Sequence, residues 1–358
     1  MSLPNRTAPL KGRGALSNAD GRFESRTHER GDDGWDSLTE LPVVATTVTV
    51  DASKSILTYN DSPDIGFDRS INAYRGCEHG CIYCFARPTH SYLGLSPGLD
   101  FETRLFAKPN AASLLEQELR HRNYQCRPIA LGTNTDPYQP IERQWRITRQ
   151  ILEVLAAFKH PVTILTKSAL IERDIDLLAP MAAASLVQVH LSVTTLDTAL
   201  ARRLEPRATA PLRRIAAIRK LNAAGIPTGV MVAPLIPLLT DADMEAILKA
   251  CVEAGARSAG HVLLRLPLEV KDLFKEWLAI HEPLKAGHVM RLVRGAREGR
   301  ENDPDFGSRM RGTGVFADLI AQRFARACRQ WNLNRSDPGL DTTQFRPPPP
   351  SRGQLALF

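Results

Sequence analysis

Between a polar stretch of about 45 residues and a helical last third, short β-like runs alternate with longer helical patterns. That alternation limits the folds open to the chain. SINAYRG, PIALGT, PVTILTK, LVQVHLSVT, PTGVMVAPLI and HVLLRLP read as six strands. Between them lie AASLLEQELRHR with Asn110 as its cap, RITRQILEVLAAF, and ERDIDLLAPMAAA. A helix broken around Glu205–Pro206 follows, then PLRRIAAIRKLNAAG, which starts on Pro211 and stops at Gly225, and DADMEAILKACVEAG, capped by Thr240 or Asp241. Strands separated by helices of this length pair in parallel through right-handed crossovers. Six such units predict an α/β fold, an incomplete (β/α)6 TIM-like barrel, with an open doubly wound sheet as its rival. In either fold, chemistry gathers at the C-terminal ends of the strands.

No apolar run approaches the roughly 20 residues that span a bilayer. The N-terminal MSLPNRTAPLKGRGALSN has no apolar stretch to act as a secretory signal. The expectation is a cytoplasmic protein with no membrane partner, whose six cysteines serve metal or chemistry rather than disulfides. A net charge of +7 favours polyanions such as nucleic acid, modestly for this length. The expected organisation is a disordered or draped tail over 1–45, a partial barrel over 46–270, a helical cover over 271–335 and a proline-rich tail over 336–358.

YRGCEHGCIYCFAR places Cys77, Cys81 and Cys84 in one C-x-x-x-C-x-x-C loop leaving the end of the first strand. Cys126, Cys251 and Cys328 lie far from it and from one another. Cys251 and Cys328 sit among apolar neighbours in helical patterns, as core cysteines do. Structural zinc wants four closed ligands, usually as two separated pairs. Here only His79 or His90 would complete a Cys3His site. An iron–sulfur cube normally takes four cysteines. Held by three, it keeps one iron open to a substrate or cofactor, the logic by which a catalytic zinc keeps a free position.

With an aromatic, Tyr83, before the last cysteine and βα units trailing the loop, residues 65–270 or so resemble the radical S-adenosylmethionine (SAM) superfamily. The resemblance implies that Cys77, Cys81 and Cys84 ligate a [4Fe–4S] cluster whose unique iron chelates SAM. It implies an electron from a reductant of flavodoxin or ferredoxin type, splitting SAM into methionine and a 5′-deoxyadenosyl radical that abstracts hydrogen from a substrate. Tyr83 then belongs to the cofactor site. Thr135 and Asp136, in GTNTDPYQPIE, stand where many members carry a Gly-Gly-Glu segment and would meet the ammonium of SAM. Lys167 in LTKS would pair with the carboxylate. Ser192 and Thr194, on one face by the two-residue period, would take the ribose or the carboxylate. Arg207, close to Glu205, would complete the carboxylate clamp in a bidentate way, and Arg265 would line the substrate side.

The TKS element and a Thr-x-x-Pro-type loop are similar to the branch containing spore photoproduct lyase, which implies that Thr135, Lys167 and Ser192 contact SAM. That branch places a hydrogen-donating cysteine in the loop after the second strand. This chain has Thr133 there, and Cys126 falls at the strand's other end. The expected function is radical SAM catalysis on a substrate the sequence does not name, with lyase-like action on nucleic acid as one reading. The alternatives are modification of a peptide, protein or metabolite, and a metal-binding protein without turnover. Arg291, Arg294, Arg297 and Arg300 recur every third residue and would form a basic stripe if helical, or the outer face of a solvated cover.

Overall fold

Central strands of a parallel sheet are covered on both faces, and their sequences show it. In VTILT, Val162, Ile164 and Thr166 are buried while Thr163 and Leu165 are half-buried. The computed structural model describes residues 9–23, 45–335 and 339–349. Among these, ten strands form: β1 (Thr47–Val50), β2 (Leu57–Tyr59), β3 (Arg69–Ile71), β4 (Tyr74–Arg75), β5 (Arg104–Ala107), β6 (Ile129–Leu131), β7 (Val162–Thr166), β8 (Val187–Ser192), β9 (Thr228–Leu235) and β10 (Ser258–Leu263). The main sheet runs β10-β9-β8-β7-β6-β3-β2. Its neighbours from β3 to β10 pair in parallel, and β2 adds an antiparallel edge. The sheet ends on β2 and β10 without closing, the incomplete α/β barrel expected from the alternation. A small sheet, β1-β5-β4, stands beside it.

SINAYRG is not one strand. It divides at Asn72, whose Oδ1 accepts the N–H groups of Asn134 at 3.1 Å and Thr135 at 3.3 Å. A side chain substituting for a ladder partner ends β3 and lets the chain turn into β4, which pairs with β5 instead.

The helices are α1 (Asp100–Thr103), α2 (Ala111–Leu119), α3 (Glu142–Trp145), α4 (Ile147–Ala157), α5 (Ile175–Ala183), α6 (Thr198–Leu204), α7 (Pro211–Ala223), α8 (Met244–Glu253), α9 (Val270–His281), α10 (Pro283–Gly295) and α11 (Gly314–Gln330). The break at Glu205–Pro206 separates α6 from α7. Two expected caps do otherwise. Asn110 precedes α2, but its amide donates to the Ser53 carbonyl at 3.1 Å. Thr240 accepts from the Ile236 N–H at 2.8 Å, closing the turn after β9, and α8 begins only at Met244. Nor does the arginine stripe form. Because α10 ends at Gly295, Arg297 turns inward and is buried, while Arg294 pairs with Glu301 at 3.1 Å and Arg300 with Asp303 at 3.6 Å.

Two apolar clusters organise the molecule. The larger lies between the sheet and its helices. The smaller joins Leu16, Cys81, Ile82, Tyr83, Leu204, Leu266, Phe274 and Trp277, so α6 and α9 pack beneath the cysteine loop. Residues 339–349 lie along the domain, with Phe345 against Phe158, His160 and Tyr124. No helix among the described residues is long and apolar enough to cross a membrane.

Trp277 is fully buried and donates its indole N–H to the Arg203 carbonyl at 3.1 Å. Trp277→Ala is expected to cost about 3–5 kcal/mol, typical of a deleted core aromatic. The measurement is a lower urea midpoint at unchanged slope.

Candidate functional site

Beyond β4 the chain enters residues 76–86 through two positions with left-handed backbone, Gly76 at φ 75° and Gly80 at φ 66°. A Cβ at Gly80 would stand 2.7 Å from Glu102 Oε2, so the loop needs glycine for space as well as conformation. Within the loop the Cys77 N–H donates to the Phe101 carbonyl at 2.9 Å, and the Ile82 N–H to that of Leu204 at 3.1 Å. Cys84 N–H closes a turn on the Cys81 carbonyl at 3.2 Å. Gln139, from the loop after β6, grips the other side. It accepts from the Glu78 N–H at 2.9 Å and donates to the Gly76 carbonyl at 3.2 Å.

Arg87 holds the loop from below. Its fully buried guanidinium donates to the carbonyls of Cys81 (2.9 Å), Gly80 (3.2 Å), Pro97 (3.0 Å) and Gly98 (2.9 Å), and pairs with Glu102 at 2.5 Å. Glu102 in turn accepts the N–H groups of Gly14 at 3.0 Å and Ala15 at 2.8 Å. The segment 13–16 is therefore buried against the loop, and a Cβ on Gly14 would fall 1.8 Å from the Gly80 carbonyl oxygen. None of this is marked by a motif. Arg87 and Glu102 are ordinary residue types 15 apart, and only the fold shows that they are paired.

The polar strand ends fall into two groups. In one, Asp136 accepts from Thr166 Oγ1 at 2.6 Å, the Lys167 N–H at 2.7 Å and the Tyr138 N–H at 2.8 Å, with His79 Nδ1 at 3.3 Å. These partners hold its carboxyl down at about 2 against burial, which pushes the other way. Asp136 thus fastens β7 to the cysteine loop. Thr135 turns its hydroxyl to the Tyr74 carbonyl at 3.2 Å.

In the other group, Lys167 Nζ donates to Ser192 Oγ at 2.8 Å and lies 5.9 Å from the centroid of the Tyr83 ring. Tyr83 and Thr194 both hydrogen-bond the Glu205 carboxylate, which is paired with the buried Arg214. Arg214 also donates to the Ser192 carbonyl at 2.9 Å. Glu205 sits at about 2, lowered by Arg214, Lys167 and its two hydroxyl donors against the burial that raises it. Lys167, Ser192, Thr194 and Tyr83 are brought together as expected positions. Arg207 is not with them; it reaches back to Glu78 at 3.2 Å. Arg214, absent from the sequence reading, does the buried work there, and its place on the inner face of α7 among apolar residues was its only signal.

The three thiols form a donor set suited to an iron–sulfur cluster. Burial and neighbouring thiols push Cys77 up, and burial lifts Cys81 to about 12 and raises Cys84. Thiolates so placed need a cationic metal centre to be stable, and Lys167 and Arg214 near Cys81, with Arg87 near Cys84, add favourable charge. Each histidine of the loop region has a protein partner on one ring nitrogen, while His90 Nδ1 is buried without one among the described residues. His79 faces Asp136, and His90 Nε2 lies 3.0 Å from the Arg104 carbonyl.

Glu205→Gln would strand the buried Arg214 charge, at a cost of about 3–5 kcal/mol near neutral pH. Because the folded carboxyl lies at about 2 against an ordinary 4.5, its contribution is complete above 4.5 and is lost as pH falls through 2. The stability gap between wild type and variant, measured by urea unfolding across this window, should narrow accordingly.

A sequence profile of the radical SAM superfamily matches residues 71–251. Over 230 residues the chain is 40% identical to the uncharacterized protein Rv2578c of Mycobacterium tuberculosis, covering 64% of this chain and 68% of that one. It is 30% identical over 173 residues to the uncharacterized protein MJ0683 of Methanocaldococcus jannaschii, 48% of this chain and 62% of that one. Among solved structures, a mutant of spore photoproduct lyase is similar with a TM-score of 0.58 at 16% identity, over 87% of this chain and 86% of that one. Spore photoproduct lyase complexed with dinucleoside spore photoproduct gives 0.57 at 15% identity, over 79% of each; identities this low speak for the fold alone. The chain belongs to the radical SAM superfamily, which works with a [4Fe–4S] cluster and SAM.

Proposed function

We propose that Cys77, Cys81 and Cys84 hold the cluster, that SAM lies over the ends of β7 and β8, and that the substrate is a nucleic acid. The observation carrying the first two assignments is the clamped loop of three thiols, Cys77 and Cys81 buried and Cys84 half-buried, with Lys167 near Cys81 and bonded to Ser192. When bound, cluster and SAM supply a 5′-deoxyadenosyl radical, given one electron from a flavodoxin- or ferredoxin-type protein.

The chain's own residues bind, orient and shield. Lys167, steadied by Ser192 and resting over Tyr83, offers an ammonium to the carboxylate of SAM by a charge-assisted bond. Thr194, Glu205 and Arg214 fix the Tyr83 ring as one wall of the pocket. Asp136 orients the main chain at Lys167, a positioning role, since its acceptor sites are already filled by protein. Thr135 orients the same loop through Tyr74, and Arg207 through Glu78. Burial of the loop keeps water from a reactive radical. The loop after β6 presents Thr133, 3.2 Å from Asn72 Nδ2, where the lyase branch has a thiol; the final hydrogen comes from another donor. Nucleic acid is favoured by the net charge of +7 and by exposed aromatics, Phe85 and Phe306, each with an arginine over its ring.

Anaerobically reconstituted protein is expected to release 5′-deoxyadenosine from SAM under a strong reductant. Alanine at any one of the three cysteines should remove both this product and the cluster absorbance. Intact cluster without product in the wild type refutes the catalytic reading. Lys167→Met should weaken SAM binding roughly 10- to 100-fold, the worth of a hydrogen bond to a charged group, as measured by equilibrium dialysis.

A further inference from the structure

Among the described residues, one arginine at the barrel mouth keeps a buried guanidinium nitrogen without a hydrogen-bond partner. Arg265 lies two residues beyond β10, where the Leu264 N–H still reaches the Leu235 carbonyl at 3.0 Å. Its guanidinium carbon sits 5.6 Å from the ring centroid of Phe85, the residue after Cys84, so it spans from the last strand to the cysteine loop. Its Nε is buried with no hydrogen-bond partner, and one terminal nitrogen reaches only the Met310 sulfur at 3.6 Å. Among the described residues no carboxylate lies within ion-pair distance of it.

The neighbouring arginines are differently placed. Arg309 is held by Asp64 at 2.5 Å and Ser62 at 2.6 Å. Arg297 is held by the carbonyls of Leu264 at 2.9 Å and Ser308 at 3.0 Å. The two carboxylates whose charge reaches Arg265 are already engaged, Asp64 by Arg309 and by the Gly307 N–H at 2.6 Å, and Asp303 by Arg300 at 3.6 Å and by the Asp305 N–H at 2.9 Å. Burial and the charges of Arg309 and Arg297 push the Arg265 guanidinium below its ordinary value. A half-buried, unneutralised guanidinium is unfavourable unless an anion joins it, and its planar fork fits the oxygens of a phosphate. Phe85, under the Arg265 guanidinium, is 46% exposed, and Phe306, under that of its neighbour Arg309, is 58% exposed, so flat apolar surface accompanies this group of cations.

We infer that Arg265 is a phosphate-binding subsite for a single-stranded nucleic-acid substrate, with Phe85 and Phe306 as surfaces against which its bases rest. This rests on the nucleic-acid reading above and names the group that reads the backbone.

The test uses the full-length reconstituted protein and a fluorescein-labelled oligothymidylate 12 nucleotides long. Wild type, Arg265→Met and Arg265→Lys are titrated across a salt series, with iron content and SAM affinity measured alongside. Arg265→Met is expected to bind the oligonucleotide about tenfold more weakly and to lower the slope of log affinity against log salt by about 0.7, the loss of one single-strand phosphate contact. Arg265→Lys should keep the slope while losing part of the affinity, a result that a folding defect would not give. Equal affinity and slope in wild type and Arg265→Met overturns the subsite and leaves the nucleic-acid reading standing. No oligonucleotide binding by the wild type overturns both. Weakened SAM affinity in Arg265→Met assigns the fork to the carboxylate of SAM and overturns the subsite.

Discussion

The buried pair of Arg87 and Glu102 is the interaction on which the site depends. A loop with three metal-binding thiols cannot take its shape from its own side chains, since those must stay available as ligands. Its main chain must be held by something else, and Arg87 holds it by engaging the Gly80 and Cys81 carbonyls. A guanidinium with no water around it needs a carboxylate, and Glu102 supplies one that is itself fastened by two amides of the segment 14–15. The chain therefore fixes the backbone of a metal site with an ion pair that uses none of the thiols.

The same economy appears at the strand ends. Asp136 and Glu205 are both deeply buried carboxylates kept ionised by several donors. Each joins the cysteine loop to a different part of the sheet, Asp136 through His79 and Glu205 through Tyr83. Between them stands Lys167, whose side chain bonds to a hydroxyl and whose main chain is oriented by Asp136. One cation on a supported stem, in no ion pair among the described residues, suits an anionic cofactor group.

The parallel strands and crossover helices were legible in the sequence because their apolar periodicity is a local property. So was the cysteine loop, since its spacing is contiguous. The division at Asn72 was not, because it depends on amides more than 60 residues away. Thr135, Asp136 and Arg207 looked like ligands for SAM because polar residues after strands usually face the cleft. In the fold each also has a protein partner, and no local pattern tells a hydroxyl turned to Tyr74 from one turned to a ligand. The arginines after Arg291 misled for a related reason: spacing predicts a stripe only while the helix lasts, and α10 stops at Gly295.

The contact between Gly14 and Gly80 has a consequence for how the protein can be shortened. Residues 9–23 have no strand or helix and read as dispensable by every compositional measure. A chain trimmed to begin at β1 would keep each cysteine and every barrel strand. It would also leave the Glu102 carboxylate without the Gly14 and Ala15 amides and the Ala15–Leu16 socket empty, so that oxygen and water gain a path to the thiols.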